Sequence, residues 1–467
     1  MEQQISRRDI NKGLLAGLAS LTFGGVKMLT TQKAMAQTMT GNGLGTHSSS
    51  NKILVMCPLR GGMDSLTFFP AFGLNGYYQS RPSLAIPPSE CLNIGNSIRG
   101  MHTMLAPLHQ QIRLPSGQQS SGIWADGEMA LIHKVGYPNA NLSHFHSSDI
   151  YSTACTHGLA SRSKGWIARM ADHHFPSYRS LFAIGYGRMD TPDLRVDREE
   201  IRPLSINDLN GFHVKEDHGV TTGEFALLQS IAEREARREV PGQRIDARVA
   251  TGIRRVYTET DYLNAVNQHY QSTIQYPTND WDPTMGGDGA GEGFGKNLQT
   301  AAKLIAIEPD LRTLIVENPV NWDMHGNQRW LMSYHAPSIF WALDAFIRDI
   351  KSMGRWNDVC IVLYSEFGRN IPENSNGGTD HGVGQTMMVL GGGVNGGRYG
   401  GMLSEYDMRQ GHIIYDANDH SCVDFRAVYS QIIRHHMGYQ NVEQILPESF
   451  MDRGLLNQQN QPLFRGI

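Results

Sequence analysis

The segment Lys52–Pro58 is a short, almost wholly apolar run that stops on Leu59-Arg60-Gly61-Gly62-Met63-Asp64-Ser65. A run of this length, without a polar face and ended by glycines, suits a strand buried on both sides and emerging at its carboxyl edge. Comparable units recur. Met129–Val135 precedes a helical stretch over Ser143–Ala154, Thr313–Glu317 precedes a helix over about 329–353, and strands at Asp358–Tyr364 and Thr386–Leu390 follow. Strands alternating with helices predict an α/β fold: a three-layer α/β/α sandwich around a mainly parallel central sheet.

Residues 37–51 read as a polar linker, 52–450 as the folded body and 451–467 as a C-terminal tail. The stretch 190–290 breaks the alternation. It holds a charged helical segment, Glu224–Arg238, and an aromatic, Asn/Gly-rich region through Trp281 and Gly295, and reads as an inserted cap beside the sheet. Five cysteines (Cys57, Cys91, Cys155, Cys360, Cys422) show no metal-finger or redox spacing, and Cys57 and Cys360 sit in apolar runs as small buried hydrophobes.

Residues 1–36 have the layout of a removable export signal. Arg7 and Arg8 form a charged start, Gly13–Val26 is mildly apolar, and Ala34-Met35-Ala36 frames a cleavage site before Gln37. The paired arginines mark the route that carries folded cargo, so the twin-arginine translocase is the expected partner and the periplasm or the medium the destination. The apolar run of 14 residues falls short of the roughly 20 that span a bilayer, so no membrane anchor is expected after cleavage. The signal carries a surplus of three positive charges in a chain of formal charge −4, which leaves the remainder at −7. That balance offers no surface for nucleic acid.

In open α/β sheets ligands bind beyond the carboxyl ends of the strands. Four polar clusters are predicted there. Asp64 follows the glycines of the first turn, where a ligand carboxylate and ordinary turn chemistry are equally good readings. Ser143 heads a helix, where the N–H groups and dipole favour an anion; it is either an alkoxide nucleophile or a plain cap. Asp323 and His325 are two apart in an extended segment and can hold one cation. Glu366 and Arg369 follow a strand, and Asp380-His381 lies between glycines.

Carboxylates gathered this closely resist burial at several kcal/mol each unless cations match them. Oxygen ligands with two histidines and no cysteine suit Zn²⁺ or Mn²⁺, with Mg²⁺ a further candidate, as one or two ions. Arg369 reads as an oxyanion partner or a surface residue. His144 and His146 read as surface or satisfied core histidines, and Asp149, Asp424 and Arg426 as caps and fold salt bridges.

The ordered motifs Gly-Gly-Met-Asp, Ser-His-Phe, Trp-Asp-x-His-Gly-Asn, Ser-Glu-Phe-Gly-Arg, Gly-Thr-Asp-His-Gly and Val-Leu-Gly-Gly-Gly-Val run over about residues 52–440. In this order the chain resembles the bacterial exported family of unknown function numbered fifteen hundred and one, itself similar to the alkaline phosphatase and sulfatase superfamily. The resemblance implies a binuclear metal site for phosphate- or sulfate-ester hydrolysis. It implies Asp64 as first-strand metal ligand, Ser143 as nucleophile, Asp323 and His325 as the mid-chain pair, and His381 as the late histidine. Glu366 stands where the superfamily carries Asp-His, which puts the second metal in question.

The expected function is therefore an exported, metal-dependent hydrolase of anionic esters. The alternative is a non-catalytic periplasmic binding or assembly protein that keeps the fold. A redox enzyme is the weakest reading, because the chain has neither a dinucleotide glycine fingerprint nor a cysteine cluster.

Overall fold

Strand β1, Ile53–Pro58, is buried along its whole length. Ile53, Val55 and Cys57 face one core, and Leu54 and Met56 face the other, as the two-residue period of a strand requires. The computed structural model describes residues 51–467 apart from 115, 158–163, 174–179, 186–190, 198–201, 207–269, 278–288, 309, 414, 417–418, 451, 453 and 467. The segment expected to be an export signal and most of the expected cap, with Glu224–Arg238 and Trp281, lie outside the described residues.

The other strands of the main sheet are β2 (Met129–Gly136), β3 (Ser180–Ile184), β4 (Arg202–Ile206), β5 (Leu311–Val316), β6 (Val359–Tyr364), β7 (Gln385–Leu390), β8 (Gly397–Tyr399) and β9 (Val423–Asp424). Their order is β8-β2-β7-β6-β1-β5-β3-β4, with β9 also pairing β2. Every pairing is parallel except those of β7, which runs against both β2 and β6. The mainly parallel sheet expected from the apolar runs is therefore present, and the strand and helix limits agree to within a residue or two.

Six helices matter below: α1 (Ser65–Phe68), α2 (His144–Thr153), α3 (Trp166–His173), α4 (Gly289–Ile307), α5 (Gln328–Ser352) and α6 (Phe425–Gln431). Leu298 and Leu304 of α4, with Ile339, Leu343 and Ile347 of α5, cover one face of the sheet. Ile150 of α2, Trp166 and Met170 of α3 and Val428 and Tyr429 of α6 cover the other. Each such side chain contributes about 1.5–3 kcal/mol on burial, and with apolar residues on both faces the layers can only be helix, sheet, helix.

Two departures from the sequence reading stand out. β4 falls inside the stretch expected to be inserted, yet Arg202–Ile206 pairs in register with β3 as the edge of the sheet. The C-terminal segment is also pinned to the body, since Leu463 and Phe464 are buried and Phe464 bridges Val394. All five cysteines are described and no disulfide joins them; burial pushes the Cys57 and Cys360 thiols far up, in keeping with small buried hydrophobes. Asp424 caps α6 and pairs with Arg426 at 2.7 Å, the fold role expected of both.

Candidate metal centre

The carboxyl ends of β1, β2, β5 and β6 share one edge. Because β7 runs the other way, the chain entering it also starts at that edge, carried there by a ribbon in which His381-Gly382 pairs antiparallel with Gly368-Arg369. Gly61 and Gly62 follow β1 with φ of 114° and 73°. A Cβ on Gly61 would lie 2.4 Å from the Asp323 nitrogen and 2.6 Å from that of Trp322, so only glycine lets this turn approach the loop after β5. The Trp322 N–H donates to the Arg60 carbonyl at 2.8 Å, closing the approach. Asp323 is thereby set in the middle of the edge.

Three histidines converge on Asp323. His381 Nε2 lies 3.2 Å and His325 Nε2 3.0 Å from Asp323 Oδ1, and His144 Nε2 lies 3.4 Å from Asp323 Oδ2. In His144, Asp323 and His381 one ligand atom of each falls within 4.8 Å of the others. Each imidazole is also fixed from behind through Nδ1: His144 on Glu366 Oε1 at 2.6 Å, His325 on Asp380 Oδ1 at 3.0 Å and His381 on the Leu142 carbonyl at 2.9 Å. An acceptor at Nδ1 assigns the proton to that nitrogen and leaves the Nε2 lone pair facing inward. The Nε2 atoms of His325 and His381 are 3.0 Å apart. Two lone pairs at that distance repel unless a proton or a cation lies between them, and a carboxylate or carbonyl behind each histidine is the arrangement that orients imidazole toward a metal. The donor set of this site therefore fits a divalent cation of borderline softness.

The electrostatics keep the carboxylates charged. Burial works to raise the Asp323 carboxyl, but the hydrogen bond from Arg369, the neighbouring His381 and the charge of Arg369 hold it below the usual range. Burial likewise opposes ionisation of Glu366, which the bonds from His144 and the Gly61 N–H overcome. The hydrogen bond to Glu366 raises the His144 imidazole. Asp380 is held low by Asn374 and His325.

The sequence candidates divide into three groups. Asp323, His325 and His381 come together at the centre. Glu366 and Asp380 stand one layer back, where they orient His144 and His325. Asp64 is turned away from it, and Arg369 meets it from inside the fold through Asp323. Asp64 is 5% exposed and accepts both Arg81 nitrogens, at 2.5 and 3.0 Å, together with Gln328 Nε2 at 2.6 Å and Thr67 Oγ1 at 2.7 Å. It does not reach the histidines, because the buried Arg81 guanidinium claims its charge. Arg369 is 2% exposed. It donates to the carbonyls of Gly61, Gly62, Thr379 and Trp322 and, at 2.6 Å, to Asp323 Oδ1, so it positions the Asp323 carboxylate.

Ser143 is the exposed N-cap of α2, and its side chain makes no capping hydrogen bond. His144, read from the sequence as a surface or core histidine, is instead the residue that reaches Asp323. The signal was available: it is the first residue of a helix beginning at the carboxyl edge, and helical side chains lean back toward the amino end. A cavity of about 600 Å³ opens beside the centre. His144, Asp323 and Glu366 line it together with Arg195, Asn318 and the ion pair of Arg60 with Glu317 at 2.8 Å, so a ligand there would meet guanidinium groups and carboxylates beside His144.

The chain belongs to the family described as "Protein of unknown function (DUF1501)", which matches residues 52–418. No curated protein matches it in sequence. Among solved structures it is similar to the lipoteichoic acid synthase LtaP from Listeria monocytogenes, at 9% identity and a TM-score of 0.39 over 92% of this chain and 80% of that one. It is also similar to a protein in the alkaline phosphatase superfamily from Vibrio parahaemolyticus, at 11% identity and a TM-score of 0.32 over 82% and 69% of the two chains. A third is the alkaline phosphatase from the Antarctic bacterium TAB5, at 9% identity and a TM-score of 0.29 over 74% and 92%. At such identities the site's own side chains decide its chemistry.

Proposed function

We propose that this protein is an exported, metal-dependent hydrolase of phosphate or sulfate esters, with a divalent cation held by His144, Asp323 and His381 and His325 adjoining. The observation that carries the reading is the convergence of histidine Nε2 atoms on Asp323, each ring fixed through Nδ1. A bound cation supplies Lewis acidity toward an ester oxygen. The chain supplies the rest. Glu366 and the Leu142 carbonyl hold the imidazoles in place, Arg369 holds Asp323, and Arg195 and the Glu317-paired Arg60 stand in the cavity wall.

Ser143, at the amino end of the ten-residue α2, is the nucleophile in this reading. Attack by its Oγ on phosphorus or sulfur displaces the alcohol, and water then releases the oxyanion, so one water is consumed overall. The test is hydrolysis of nitrophenyl phosphate and nitrophenyl sulfate by protein loaded with zinc, manganese or magnesium. Turnover lost in both Ser143→Ala and Asp323→Ala is the expected result; no turnover above the Ser143→Ala control with any metal overturns it.

Export through the twin-arginine route belongs to the same proposal and rests on Arg7 and Arg8. Among the described residues no helix is long and apolar enough to cross a membrane. Replacing both arginines by lysine is expected to retain the chain in the cytoplasm; unchanged export overturns that part.

A second reading, a periplasmic binding or assembly protein without turnover, has one observation in its favour: two of the charges assigned to chemistry, Asp64 and Arg369, are engaged inside the fold. Elemental analysis separates the two. A native protein that carries no metal, and whose Asp323→Ala variant melts at the same temperature, supports the binder.

A further inference from the structure

Behind the centre lies a buried network that the proposed chemistry does not use directly. Asp64 Oδ2 accepts from Arg81 Nη1, Thr67 Oγ1 and Gln328 Nε2, and Oδ1 accepts from Arg81 Nη2 at 3.0 Å and the Leu66 N–H at 3.2 Å. A carboxylate offers about four lone-pair sites, and these five donors fill them. A cation could reach Asp64 only by displacing Arg81. That guanidinium is completely buried and donates onward to the carbonyls of Ile371 at 2.6 Å and Asn370 at 2.9 Å. Expelling it would leave an unpaired buried charge, which is strongly unfavourable.

The same network continues forward to the centre. Gln328 Oε1 accepts from Thr379 Oγ1 at 2.7 Å, and the Thr379 carbonyl accepts from Arg369 Nη1 at 2.7 Å. Arg369 Nη2 then donates to Asp323 Oδ1. Thr379 is fully buried, its N–H donates to the Met324 carbonyl at 3.2 Å, and it stands two residues before His381. One hydroxyl thus pins the backbone that carries His381 and supports the arginine that holds Asp323. Charge balance agrees: Arg81 satisfies Asp64, and Arg369 shares Asp323 with whatever the histidines hold.

We propose that the centre takes one divalent cation and that the Asp64–Arg81 pair is its brace, positioning Asp323 and His381 through Gln328, Thr379 and Arg369. Asp64 is then a positioning residue in a place where a ligand was expected. The inference rests on the metal-centre reading above.

The test is titration of the full-length, chelator-stripped protein with zinc chloride by calorimetry, with elemental analysis after dialysis. The expected stoichiometry is one zinc per chain. Two per chain overturns the single-cation proposal and leaves the metal reading standing, whereas none overturns the metal reading itself. Thr379→Val keeps the shape and removes the hydroxyl; its zinc affinity is expected to fall about tenfold, with Thr379→Ser restoring it. Gln328→Met cuts the same relay by another residue and is expected to weaken zinc similarly. If the two relay variants melt at lower temperature but, when folded, bind zinc as the native chain does, the network is structural only and the brace is overturned.

Discussion

Asp64 and Asp323 are two aspartates at the same edge of the same sheet, with opposite environments. Asp64 is 5% exposed and saturated by donors from its own fold, while the Asp323 side chain is 29% exposed and shares its oxygens with three histidines and one arginine. The difference shows what separates a structural carboxylate from one able to serve as a ligand. A ligand needs lone pairs that the fold leaves incompletely used, and a stabilising carboxylate needs the reverse.

The largest effect expected from breaking this contrast is on stability. Asp64→Ala strands the Arg81 guanidinium in the interior and should cost about 3–5 kcal/mol in urea unfolding. Asp323→Ala in metal-free protein should cost far less, because Arg369 keeps its four carbonyl acceptors. Equal losses would erase the distinction between the two residues.

A third carboxyl sharpens the comparison, since Asp193 is as buried as Asp64 without an equally close guanidinium. Burial raises it to about 7, against weaker opposition from Ser152, Arg60, Arg169 and Thr191. The sign of the pH effect follows. Between about pH 4 and 7 the folded chain keeps a proton that the unfolded chain has released, so stability falls as pH rises through that window. Over three units the full effect is up to about 4 kcal/mol. Asp193→Asn should therefore melt higher than the native chain at pH 8, with the gap narrowing as pH falls and closing only near pH 4. A gap that does not vary with pH would mean that Asp193 ionises normally.

Within the centre the contrast passes to histidines. His144→Ala should weaken zinc binding by about 10–100-fold or more, because a ligand should matter at least as much as the groups that orient it. His146→Ala, two residues along the same helix, should leave it unchanged. Calorimetry with zinc decides between them, and equal losses would mean that helix α2 contributes through its fold instead of through a ligand.

Much of the fold was legible in the sequence because apolar runs with no polar face have one physical solution. β1, β2, β5, β6 and β7 announced themselves in this way. β4 did not: Arg202-Pro203-Leu204-Ser205-Ile206 is a polar-flanked edge strand whose pairing with β3 is a tertiary fact. At the site, residue type identified Asp323, His325 and His381, but type could not say where charge would be spent. Arg81 lies 17 residues after Asp64 and Arg369 lies 46 after Asp323. No local pattern reveals that one arginine removes its aspartate from the site while the other holds its aspartate in it. His144 was missed for the complementary reason, since a histidine at a helix start is common and only the sheet edge beside it brings it to Asp323.

The smallest expected effect concerns Ser143, and it bears on the chemistry most directly. A serine that caps a helix through its hydroxyl is worth about 1 kcal/mol over alanine. Ser143 occupies the N-cap of α2 without making that bond, so Ser143→Ala should lower stability by less than about 0.5 kcal/mol while abolishing turnover of a nitrophenyl ester by metal-loaded protein. Thermal unfolding and activity on the same preparation read both quantities. A loss near the ordinary capping value would return the hydroxyl to the helix, and unchanged turnover would leave the cation site without its proposed nucleophile.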